Sequence, residues 1–97
     1  MVTISNNYWT FNGDLTKDNV QKIFKDCSKH LTTIVDTWNI DFIKCNKIDI
    51  SGIALIIEYI KYSTKNKINL ELHNINANTL LLAKVHGAAY ILNKFIK

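Results

Sequence analysis

Ninety-seven residues, 47% of them hydrophobic, suffice for one domain with one core; the expectation is a single domain over residues 1–97 without a second. The formal net charge of +4 rests on lysines scattered from Lys17 to Lys97 without a single arginine, which fits a solvated surface and not a nucleic-acid site, where clustered and bidentate Arg contacts are favoured. The longest apolar stretch, Ile53 to Ile57, falls far short of the roughly 18 residues that span a bilayer, and Met1 to Asn7 hold no basic segment leading into an apolar run. The expectation is a cytoplasmic chain with no direct membrane insertion.

In chain order, Val2 to Ser5 and Tyr8 to Phe11 are short β-prone runs joined by Asn6-Asn7, a pair that tolerates the positive φ angles of a two-residue hairpin. Asn12-Gly13 ends the hairpin, and Thr16 offers an N-cap. Val20, Ile23, Phe24, Cys27 and Leu31 then recur at spacings of three and four, one face of a helix. Thr37 to Phe42 alternates, placing Trp38, Ile40 and Phe42 on one side of a strand, and Ile43 to Lys47 form a connection. A helix follows from about Ser51 to Ser63, with Asp49 or Ser51 able to cap it and Gly52 removing a side chain where a partner backbone can come close. In that helix Ile53, Ile56, Ile57 and Ile60 make a core stripe, which leaves Leu55, Glu58, Tyr59 and Tyr62 to the more exposed arc, a composition suited to protein contact. Ile68 to His73 is a second alternating strand. Asn76 or Asn78 can cap a third helix carrying Leu80, Leu81, Ala83 and Val85, stopped by Gly87, and Ala88 to Ile96 form one more short helix. The order hairpin, helix, strand, helix, strand, helix is a small α/β pattern.

Little in the chain looks like reaction chemistry. His30, His73 and His86 fall on three different elements, and no Ser or Cys has a local His/Asp signature beside it, so the chain reads as a non-enzyme. Cys27 and Cys45 lack C-x-x-C spacing and read as free, buried thiols. Cys27-x-x-His30 lacks the further ligands of a zinc site, and no phosphate-cradling glycine loop is present, so neither metal nor cofactor is expected.

The most informative stretch is Asp49-Ile50-Ser51-Gly52-Ile53-Ala54-Leu55-Ile56, which resembles the Asp-Ser/Thr-Ser/Gly/Ala-Gly-Leu-Ala/Gly-Leu-Leu signature of STAS domains, the regulatory modules typified by anti-sigma factor antagonists. Asn12-Gly13-Asp14-Leu15-Thr16 is similar to the family's Gly-Glu-Leu-Thr, Ile40-Asp41-Phe42 to its Ile-Asp-Leu strand, and Leu81-Leu82-Ala83-Lys84-Val85-His86-Gly87 to its late Leu-Ala-x-x-x-Gly helix. Within the family, the wording around Gly52 and Leu82-Ala83-Lys84 resembles most the small cytoplasmic B subunit of Mla-type phospholipid ABC transporters. The resemblance implies a mixed sheet with helices mainly on one side. It further implies a protein-binding role for Asp49, Ile50, Ser51, Gly52, Leu55 and Tyr59, toward the transporter's ATPase subunit or, alternatively, toward a kinase-like anti-sigma factor. Phosphorylation-switched members carry the modified Ser or Thr directly after the Asp. Ile50 occupies that position here, and Ser51, one residue on, is expected to act as a cap or filler and not as a phosphoacceptor.

Overall fold

The alternation that marks Tyr8–Phe11, Thr37–Asp41 and Asn69–His73 as strands also sorts their two faces. In the computed structural model, which describes residues 1–97, four strands form one sheet in the order β1 (Val2–Ser5), β2 (Tyr8–Phe11), β3 (Thr37–Asp41) and β4 (Asn69–His73). The β1–β2 pair is an antiparallel hairpin with Ser5 opposite Tyr8, and β3 and β4 add in parallel, with Trp9 opposite Ile40 and Ile40 opposite Leu72. Of the turn residues, Asn6 takes the positive φ, +55°. Trp9, Phe11, Trp38, Ile40, Leu70 and Leu72 point to the helical side and are buried.

The helices are α1 (Val20–Leu31), α2 (Ile50–Lys65), α3 (Ala77–Val85) and α4 (Ala89–Asn93). Helix α2 lies in the centre of the core, where Tyr59 closes a three-ring cluster with Trp9 and Trp38. The centroids are 4.9 Å apart for Trp9–Trp38, 5.1 Å for Trp38–Tyr59 and 5.8 Å for Trp9–Tyr59, all edge-to-face. Cys27 and Cys45 are free and buried, and burial pushes the Cys45 thiol up to about 11.

Several elements depart from the sequence expectation. Thr16 does not cap α1. The Asn19 side chain is engaged one turn earlier, accepting from Thr16 N (2.8 Å) and donating to Asp14 O (2.6 Å), so Thr16–Asn19 form a separate turn and the helix starts at Val20. Leu81 and Val85 are exposed, because α3 packs inward through Thr79 and Ala83. Asn76 caps α3 as expected, accepting from Thr79 N at 2.8 Å. The chain does not end in a helix alone: after α4, Ile96 bridges Leu72 alongside β4.

The other face of the sheet is polar and carries a hydrogen-bond network that the sequence did not announce. Asp41, at the end of β3, accepts from Tyr8 Oη (2.7 Å), Asn74 Nδ2 (2.9 Å) and Ile43 N (3.0 Å). Burial works against its charge, but these three donors win and hold the carboxyl below the usual range. Asp41 therefore fixes where β3 stops and where the connection to α2 begins.

Candidate functional site

Two loops assemble the start of α2. The segment after the hairpin and the segment after β3 run side by side as a short parallel ladder, with Gly13 N donating to Lys44 O (3.0 Å), Leu15 N to Lys47 O (2.8 Å) and Asp49 N to Leu15 O (3.2 Å). Lys47 N donates to Asp14 Oδ1 (3.2 Å) and Lys17 N to Asp49 Oδ2 (2.9 Å). Asp49 is thus shared between two jobs. One carboxylate oxygen holds the neighbouring loop while the other accepts from Gly52 N (3.1 Å) and caps α2. Partial burial opposes the charge on Asp49, but the backbone N–H groups of Lys17, Gly52 and Ser51 outweigh it and draw its pKa below the ordinary 3.8.

Gly52 is required by the same construction. A Cβ at this position would collide with the Leu15 carbonyl oxygen and lie 2.7 Å from Ile48 Cγ2. The backbone that comes close is the chain's own Leu15 loop, so the expected opening for a partner backbone is already filled. Gly52 is buried and serves the site by letting the two loops close over the helix.

Of the remaining expected residues, Ile50 is the first residue of α2 and stands 45% exposed, while Ser51 beside it is half-buried. Leu55 and Tyr59 do not lie on an exposed arc: they are only 6% and 1% accessible. Ile53, Ile56 and Ile60 are buried as the stripe requires, but the buried face of α2 is wider and extends to Leu55 and Tyr59, because α2 is covered by the sheet, α1 and α3. Ile57, assigned to the core, is half-buried instead. Tyr59 belongs to the aromatic cluster, and burial pushes its phenol up.

Leu55 keeps a connection to the surface as part of the lining of a shallow groove between α1 and α2. This groove, about 460 Å³, is formed by Val20, Gln21, Phe24, Lys25, Ser51, Leu55 and Glu58. Phe24, assigned from its spacing to the core face of α1, is 47% exposed at this groove. Sequence reasoning missed its role. The signal was present in α1, where Val20 and Phe24 share the face with Ile23 and Cys27 yet sit at its margin. The Asp49 turn, Ile50, Ser51 and the groove place a partly apolar surface around the helix start, bordered by both Lys25 and Glu58.

No protein-family model and no curated protein matches the sequence. The chain's fold, however, is similar to those of solved structures. The anti-sigma factor antagonist SpoIIAA, in its unphosphorylated form, aligns with a TM-score of 0.63 at 17% identity, over 81% of this chain and 76% of that one. A Thermotoga maritima protein assigned as an anti-sigma factor antagonist aligns with a TM-score of 0.76 at 14% identity, over 100% of this chain and 82% of its own. A sulfate transporter family protein from Wolinella succinogenes aligns with a TM-score of 0.75 at 14% identity, over 99% and 79%. At these identities the likeness is one of fold: the chain has the STAS-like α/β fold, and a fold by itself does not fix a function.

Proposed function

We propose that this chain is a non-enzymatic STAS-type adaptor, a single regulatory domain that acts in the cytoplasm by docking on a protein partner through the Asp49 turn and the start of α2. The observation that carries this reading is Ile50. It is a large apolar side chain held half in solvent by a turn whose backbone is pinned from two sides, and it sits next to a groove edged by exposed Phe24. Fully burying an isoleucine is worth about 1.5–3 kcal/mol; since half of this side chain is already covered, a partner pocket gains roughly 1 kcal/mol from it. An apolar anchor on a rigid turn costs little ordering entropy to bind.

The partner we favour is the ATPase subunit of an Mla-type phospholipid ABC transporter, which would bring the domain to the inner membrane only as a peripheral component. The support is the sequence wording from Gly52 to Ile57 and in Leu82-Ala83-Lys84, together with Ile50 at the position where switched relatives carry a hydroxyl. The fold likeness to SpoIIAA and to the Thermotoga protein favours a second reading, capture of an anti-sigma factor by the same surface. Co-expression with each candidate partner from the same genome separates the two. We expect a stoichiometric complex with the ATPase subunit that survives size exclusion. A complex with an anti-sigma factor instead would transfer the function to the second reading, and no complex with either would overturn the docking proposal.

A further inference from the structure

The two edges of the sheet are finished differently. Beyond β4 the chain covers its own edge: Leu72 N donates to Phe95 O (2.8 Å) and Lys97 N donates to Leu72 O (2.9 Å). β1, at the opposite edge, has no such cover. Its hydrogen-bonded pairing with β2 includes Asn12 N to Met1 O (2.6 Å), and the register then runs Thr3 opposite Thr10 and Ser5 opposite Tyr8. Hydrogen-bonded and non-hydrogen-bonded pairs alternate along an antiparallel ladder, so Met1, Thr3 and Ser5 turn their backbone groups toward β2 while Val2 and Ile4 turn theirs outward. Natural edges are blunted by lysine, proline, bulges or covering segments, and Val2-Thr3-Ile4-Ser5 has none of these. On the helical side Val2 and Ile4 are half-buried and, with Ile23 and Cys27, line a groove of about 270 Å³ rimmed by Asp26 and Lys29.

We propose that β1 pairs antiparallel with β1 of a second copy of this chain, about a two-fold axis through Thr3, joining two sheets into one. The chemistry of the strand selects this occupant. An antiparallel two-fold pairing that uses the outward groups of Val2 and Ile4 sets Val2 opposite Ile4, Thr3 opposite Thr3 and Ile4 opposite Val2. Val2-Thr3-Ile4 has the same apolar, hydroxyl, apolar pattern in both directions, and all three residues are β-branched. Directly opposed residues share a face, so the Val2–Ile4 pairs lie on the helical side over the two grooves and the threonines meet on the open polar face. The two-fold also brings together two rims, each carrying both signs of charge. None of the residues at the start of α2 takes part, so the domain can dimerise and dock independently.

Pairing through one short edge strand buries little surface and belongs to the weak, transient class, so the test is sedimentation of the full chain from ~10 µM to ~1 mM, which spans affinities of that order. The expected result is a reversible monomer–dimer equilibrium that Thr3→Glu abolishes, since two carboxylates would face each other across the axis, while the far-UV spectrum stays unchanged because Thr3 is exposed. Thr3→Cys should cross-link under mild oxidation, the two Cα atoms of such a non-hydrogen-bonded pair being about 4.5 Å apart, whereas Ser5→Cys, facing Met1 in this register, should not. A chain that is monomeric throughout, a dimer that persists in Thr3→Glu, or cross-linking through Ser5→Cys in place of Thr3→Cys would overturn the proposal.

Discussion

Ile50 and Ile56 lie in the same helix and carry the same side chain, yet Ile50 is 45% exposed and Ile56 is fully buried. Their difference owes nothing to local composition. Ile56 lies within the hydrophobic core that α2 helps to close, while Ile50 stands at the first position of the helix, just ahead of Gly52 where the Leu15 loop comes against it. The same helix therefore builds the core with its body and presents a rigid apolar point with its first residue.

Substitutions along α2 should grade accordingly. Ile56→Asp is expected to have the largest effect: an unpaired charge among buried aromatic and aliphatic side chains costs several kcal/mol, comparable with the roughly 5–15 kcal/mol total stability of a domain. Circular dichroism should show an unfolded chain, and a native spectrum would show that Ile56 is not sealed. Gly52→Ala comes next. Its methyl must displace the Leu15 loop, at about 1–3 kcal/mol, visible as a lower urea midpoint; an unchanged midpoint would mean the crossing is looser than the structure shows.

Asp49→Ala should cost about 1 kcal/mol through loss of the cap, and it carries a pH signature. The folded-state pKa of Asp49 is lowered, as is that of Asp41, so their contribution is fully present above the unfolded value near 3.8 and is lost as pH falls through the lower folded values. Stability should decline below about pH 4 in the wild type, and less steeply in Asp49→Ala; identical acid profiles would remove Asp49 from that account. Ser51→Ala should be the mildest change, within about 0.5 kcal/mol in stability because Asp49 already supplies the cap, and it should weaken partner binding little because the proposed anchor is the apolar Ile50. Stoichiometric phosphate on Ser51 in protein from its native cell, with binding altered by its removal, would contradict this.

Much of the architecture was legible because alternation and turn chemistry are local. The Asn6-Asn7 hairpin, the strands holding Trp38 and Leu72, and the Asp49 cap all follow from neighbours within a few residues. What stayed hidden depends on contacts made at long range. The extra width of the buried face of α2, which takes in Leu55 and Tyr59, is set by the neighbouring helices and by Trp9 and Trp38, and an almost uniformly apolar helix offers no polar boundary from which to read it. The sequence likewise marked Gly52 as a place of close approach without identifying Leu15 as what approaches. The Asp41 network joins residues more than thirty positions apart, and the cover that Ile96 gives β4 is a single bridge in a segment read as helix.

The central claim, that the start of α2 is where a partner is held, is tested most directly by measuring binding of Ile50→Asp to the ATPase subunit by calorimetry alongside its circular dichroism. The account predicts a native spectrum, because the side chain is half in solvent and contributes little to the core, together with loss of detectable binding, because a carboxylate pressed into an apolar pocket is left unpaired. A folded Ile50→Asp protein that binds as tightly as wild type would contradict it and remove this turn from the interface.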